Sequence, residues 1–166
     1  WLLPYPHSKN MVLLHRGVQA NSLAELLKLP DLRWGMVRGY RHSPAQQKML
    51  DELTLQHKVV VAENEDDLYK MVCNGVVSAA FGHTVSYDPW LQNHQAQQQV
   101  TVHDFFPDSE IIAGGIALSK ARFSQGAAEL WSEEVRRMLR DGSMRAIMRR
   151  HLSPAAVEQL FKQPLE

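Results

Sequence analysis

The sequence is short of cysteine, of net charge and of long apolar runs, and each shortage excludes something. Cys73 is the only cysteine in 166 residues, so an internal disulfide framework and a Cys-rich zinc site are ruled out while the compartment stays open. Lys and Arg number 18, as do Asp and Glu. With no strong field of either sign, a nucleic-acid partner is not expected. No run approaches the ~18 consecutive apolar residues that a membrane-spanning helix needs. No basic-then-apolar leader opens the chain at Trp1, so for an exported protein the signal peptide is expected to have been removed or to lie outside this sequence. The eight histidines form no HExxH and no HxH, and neither GxSxG nor GxxxxGK occurs, so no metal, no cofactor and no catalytic residue is expected.

What is present is the composition of a globular domain: 45% apolar and 22% charged residues, enough chain for one sizeable domain or two small lobes. Short apolar runs alternate with amphipathic stretches. Strands are predicted at 11–16, 33–38, 58–62, 76–81, 100–105 and 111–118. Between them, Ser22 with Glu25 and Ser43 with Gln46 form capping boxes, and Pro44 fits a first helical turn. Asn64 caps a helix that Asn74-Gly75 closes. A weaker helix from 84 to 92 carries Pro89, and the glutamine-rich 92–99 reads as a surface loop. A long helix over 123–140 ends at Asp141-Gly142, followed by helices at 143–151 and 153–161. The alternation from 33 to 94 predicts an α/β domain with a doubly wound parallel sheet.

In such sheets ligands bind beyond the carboxyl ends of the strands, at the crevice where strand order reverses. If strand 33–38 lies beside strand 76–81 across that switch, two turns meet there: Gly39-Tyr40-Arg41-His42-Ser43 and Gly82-His83-Thr84. The helix opening at Ser43 directs unpaired N–H groups and its positive dipole end to the same place. Arg41 has the forked donors that match a carboxylate or phosphate, and Tyr40 an apolar wall with a polar tip. Tyr40, Arg41, His42, Ser43 and His83 are the candidate ligand contacts. The ordinary alternative is a solvated loop ahead of a helix cap. Cys73, beside Val72 on a helix face, reads as a small core residue, and Asn64-Glu65-Asp66-Asp67 as acids that a helix N-terminus favours.

The stretches "LAELLKLPDLRWGMVRGYRHSPAQQKMLDEL", "ENEDDLYKMVCNGVVSAAFG" and "GGIALSKARF…LWSEEVRRMLRDGSMRAIMRRHL" together resemble the bacterial family 3 extracellular solute-binding proteins, the periplasmic receptors of amino-acid-type ABC importers. The resemblance covers about residues 10–152. It implies a type 2 periplasmic-binding fold of two lobes, with 20–110 as a complete second lobe, 1–19 and 111–152 as the remnant of the first, and 153–166 as a C-terminal helix and tail. It also implies hinge crossings at Met11–Gly17 and about 106–115, a small-molecule solute, a membrane permease as partner, and periplasmic location. The family's opening portion, which builds most of lobe one, has no counterpart here, so a homodimer through the incomplete lobe is a further expectation. By alignment the family's ammonium-pairing aspartate falls on His83 and an earlier aspartate on Ser78. That removes the anion a zwitterionic amino acid needs and shifts the expectation to acidic or neutral polar solutes. A periplasmic sensor domain, or a small cleft enzyme using His83 or His42 as acid/base, is the alternative.

Overall fold

The computed structural model describes residues 1–6, 8–108 and 115–162. The chain divides into two compact units, Lys9–Glu110 and Trp1–Ser8 with Ile111–Glu166. His7 and residues 109–114, which hold part of the second expected crossing and the first half of the expected strand 111–118, lie outside the described residues.

In the larger unit, β2 (Asn10–His15), β3 (Trp34–Val37), β4 (Val59–Ala62), β5 (Ala79–His83) and β6 (Val100–His103) form one sheet in the order β4-β3-β5-β2-β6. The three strands β4, β3 and β5 are parallel, as the alternating pattern requires, whereas β2 is antiparallel to both β5 and β6. The sheet is therefore mixed, with a parallel half. Helices α1 (Leu23–Leu27), α2 (Pro44–Leu55), α3 (Glu65–Cys73) and α4 (Thr84–Asn93) connect the strands. Serine or asparagine side chains cap the first three: Ser22, Ser43 and Asn64 accept from the backbone N–H three residues on, as the sequence signature predicts.

Residues 10–15 correct one expectation. They belong to the larger unit rather than with 1–8, because every position of this strand is needed inside the sheet. Met11 and Leu13 enter the core beneath α3 and α4 together with Leu68, Val72 and Tyr87. Val12 and Leu14 enter the opposite core beneath α2 with Trp34, Leu50 and Phe81. An apolar run covered on both faces is the mark of an interior strand. Lys9 fastens its start: Nζ lies 2.6 Å from Asp104 and donates to the carbonyls of Phe106 and Pro107.

Strand β5 begins at Ala79, three residues later than predicted. Val76 and Val77 are spent on closing α3, both donating backbone N–H to Met71 O, with Gly75 at φ 69°. Strand β6 stops at His103, and 97–99 is a short 3-10 turn rather than open loop. Cys73 is half-buried against the α3 core, and burial pushes its thiol pKa up, the setting of an inert core thiol.

The smaller unit has a two-stranded antiparallel ribbon, β1 (Leu2–Leu3) with β7 (Ile116–Ala117). It also has helices α5 (Gln125–Asp141), α6 (Ser143–Met148) and α7 (Pro154–Leu160). Ser124 and Ser153 cap α5 and α7. Gly142 at φ 83° makes the turn between α5 and α6, a conformation glycine adopts without strain. Val135, Leu139, Met144, Met148, Val157 and Leu160 are buried, while Leu2, Leu130 and Trp131 remain exposed.

Gly35 marks the tightest approach in the larger unit. A Cβ there would meet Leu68 Cδ1 at 2.6 Å and Val77 Cγ2 at 3.1 Å, and both partners are buried. Gly35→Ala is expected to destabilise the unit by about 1–3 kcal/mol through overpacking, read as a lower urea midpoint at unchanged m-value. A variant as stable as the parent would show that α3 does not pack on β3 this closely.

Candidate functional site

Trp34 pairs in parallel with Ala79, and Gly35 with Ala80. These pairings carry β3 and β5 side by side, so the turns that follow them leave the same edge of the sheet. Strand β2 contributes its first residue to that edge from the other side, Asn10 being paired with His83. Three parallel strands run into the N-termini of α2, α3 and α4 here, an arrangement that favours anions and hydrogen-bond acceptors.

The five predicted residues take different positions within the edge. Tyr40 (46% exposed) and Arg41 stand in solvent, after Gly39 turns at φ 82°. His42 turns inward, its ring 5.3 Å from that of Phe81 and its Nδ1 3.4 Å from Asn10 Nδ2. Ser43 is buried, and its oxygen accepts the Gln46 N–H in the capping box of α2. His83 is half-buried and occupies the N-cap position of α4 without capping it through its side chain. Tyr40 and Arg41 are thus the outward pair, and His42 and Ser43 belong to the support beneath them.

Electrostatics tie the edge together. His42 has its pKa lowered, first by burial and then by the neighbouring His83 imidazole. His83 is also lowered by burial, with Glu65 opposing. Burial and Glu65 raise the pKa of Tyr40 and, far more, of Tyr69. Glu65 Oε1 accepts from the Tyr69 hydroxyl at 3.2 Å, so one carboxylate at the first turn of α3 serves the edge that carries both histidines. Sequence reasoning assigned Glu65 to the helix dipole alone. It also missed Asn10 and Gln46, which are 5% and 1% exposed. A polar residue opening an apolar strand, and a capping-box glutamine that stays buried, were the available signals.

Asp66 and Asp67 do not extend the site. Asp66 bonds Lys70 and the Trp90 indole N–H, and the Asp67 backbone is held by Asn64. Among the described residues no group of three or more His, Cys, Asp or Glu is placed to hold a metal ion, and no helix is long and apolar enough to cross a membrane.

No protein-family model matches the sequence, and no curated protein matches it. Solved structures do. An ancestral cationic amino acid solute-binding protein superposes with a TM-score of 0.63 at 16% identity, over 92% of this chain and 62% of its own. Substrate-binding domain 2 of GlnP of Lactococcus lactis, in an open conformation, gives 0.60 at 14% identity, over 92% and 62%. An amino acid ABC transporter substrate-binding protein of Streptococcus pneumoniae, bound to L-arginine, gives 0.59 at 15%, over 98% and 63%. This chain has the fold of those substrate-binding domains. It spans about 62–65% of the length of the structures it matches.

The lowered imidazoles set a pH dependence. Unfolded, both histidines titrate near the ordinary 6.5. Folded, they bind protons less readily, so below that value the unfolded chain takes up more protons and stability rises with pH. The contribution is fully present above about 6.5 and is lost as pH falls through the lower folded values. The melting temperature is expected to fall between pH 7 and 5, with a shallower slope in a His42→Gln, His83→Gln double variant. An identical slope in parent and variant would remove these two residues from the acid response.

Proposed function

We propose that the chain is a solute-binding module that takes a small polar solute at the edge where β3 and β5 end, and that it binds rather than catalyses. The observation that carries this reading is the parallel β3–β5 pairing. It brings the turns that follow these two strands to the same end of the sheet, at the N-termini of α2 and α4, in a fold shared with substrate-binding domains of amino acid transporters. In this reading Tyr40, Arg41, His42 and His83 face the solute, and Ser43 supports them through the capping box of α2. Two of the structures matched in fold are named for cationic amino acids and for bound L-arginine. An imidazole at position 83, together with the exposed guanidinium of Arg41, favours a solute that is acidic or neutral instead.

Capture between two lobes, a membrane permease of an ABC importer as the receiving partner, and a periplasmic location follow from the same reading as proposals. A sensor domain of the same fold would use the edge identically. The exposed Leu2, Leu130 and Trp131 of the smaller unit support association with a further polypeptide, a second copy in the first instance. Light scattering is expected to give a dimer mass at micromolar concentration, and a monomer would reject self-association.

Arg41→Ala tests the site itself. Loss of a charge-assisted hydrogen bond is worth about 1.5–3 kcal/mol. The variant should therefore weaken binding of an acidic solute by roughly tenfold or more and that of its neutral amide far less. Equal losses by calorimetry would remove Arg41 from the contacts.

A further inference from the structure

Beneath the solute edge, a chain of hydrogen bonds fixes a proton. The backbone N–H of Ser43 donates to Gln46 Oε1 at 3.2 Å, and Gln46 Nε2 donates to the backbone carbonyl of Asn10 at 3.4 Å. A backbone N–H can only donate and a carbonyl can only accept, so the Gln46 amide has one orientation. Its oxygen also takes Asn10 Nδ2 at 3.2 Å, which fixes the Asn10 amide in turn. The same Asn10 NH2 lies 3.4 Å from His42 Nδ1. Facing a donor, Nδ1 accepts, and a neutral imidazole that accepts at Nδ1 carries its proton at Nε2. His42 Nε2 is buried and has no hydrogen-bond partner among the described residues. An unmade hydrogen bond of this kind is costly and calls for a partner from elsewhere.

We propose that Asn10 and Gln46 lock His42 as the Nε2–H tautomer and that this N–H is a specificity-determining donor of the solute edge, selecting solutes that present an acceptor oxygen (a carboxylate, carbonyl or hydroxyl) over those that present an ammonium. The proposal rests on the solute-binding reading above and names its ligand class. Burial and the adjacent His83 keep the ring neutral, so it offers a donor without a charge. In sequence His42 directly follows the exposed Gly39–Tyr40–Arg41 turn, and because Nε2 is buried in the free chain the edge must open locally to admit an oxygen. Asn10 and Gln46 act through His42 and are positioning residues.

Long-range proton–nitrogen spectra of the 15N-labelled chain read the tautomer without any ligand. The free protein is expected to show an unprotonated Nδ1 and a protonated Nε2 at His42, and Asn10→Asp, which puts an acceptor opposite Nδ1, to move the proton there. Titration then compares glutarate with cadaverine, a dicarboxylate and a diamine of equal carbon count. Glutarate should shift the His42 ring signals and cadaverine should not. His42→Leu should weaken glutarate about tenfold or more, and His42→Gln, which keeps a donor, only a few-fold. A protonated Nδ1 in the free chain overturns the proposal whether or not the Asn10 variant folds, and so does cadaverine acting on His42 as glutarate does. A response of Tyr40 and His83 to glutarate with His42 silent rejects the proposal and leaves the solute-binding reading standing. Silence of the whole edge to both probes rejects the two together.

Discussion

Two residue pairs, Trp34 with Ala79 and Gly35 with Ala80, are the contact on which the larger unit's chemistry depends. Register in a parallel pair decides which turns become neighbours, and a slip of one residue would send every side chain to the other face. Here the register is set by what each face must bury. Trp34, Ala79 and Phe81 share the core under α2, with Trp34 and Phe81 rings 4.8 Å apart. Gly35 leaves room on the other face for Leu68 and Val77. A large side chain on one face and none on the other is a pattern that only one alignment of the strands satisfies.

That alignment has a polar consequence at the top of the sheet. Asn10 continues the β2 face that buries Val12 and Leu14, so its amide is carried into a region with little water. Gln46 occupies the matching place on α2. Two buried amides would be costly alone, and they are tolerated because each satisfies the other and the backbone beside it. The capping box of α2 is thereby more than a local device. The same Gln46 oxygen that receives the Ser43 N–H also receives Asn10, which ties the start of the helix to an antiparallel strand more than thirty residues away in sequence.

Much of this was legible in the sequence. The capping serines, the Asn-Gly closing α3 and the alternation of strand and helix are local signals, and the structure places α2, α3 and β4 within a residue or two of where those signals put them. The non-local facts were not legible. Val76 and Val77 have the composition of a strand, yet their N–H groups close the preceding helix on Met71; composition records burial and cannot tell a ladder hydrogen bond from a turn one. Residues 10–15 were apolar enough to be recognised as a strand, but nothing within the run says that it enters the larger unit's sheet between β5 and β6. At the candidate site, Arg41 and Tyr40 were singled out from their place after a strand, and the structure leaves both exposed. Asn10 and Glu65 were missed because their meaning lies in residues distant in the chain.

Glu65 alters the argument about charge. Read from the sequence, a histidine in place of an aspartate at position 83 leaves the edge without an anion. In the folded chain a carboxylate reaches the edge from α3, held by the Tyr69 hydroxyl and felt by Tyr40 and His83. The edge is thus divided: a guanidinium, an imidazole and a helix N-terminus on the α2 side, and a carboxylate bonded to the Tyr69 phenol on the α3 side. Burial raises the pKa of the Tyr40 and Tyr69 phenols, so at neutral pH they remain protonated donors. In the proposed reading a cationic solute meets repulsion from Arg41, and Glu65 opposes a negative charge placed against α3 while leaving one placed against α2 unopposed. Under that proposal a dicarboxylate can satisfy the α2 side with either end, and a solute whose other end is neutral and hydroxylated would satisfy the α3 side as well. An acidic group is therefore called for at one end of the solute only, a preference that composition and net charge alone do not contain.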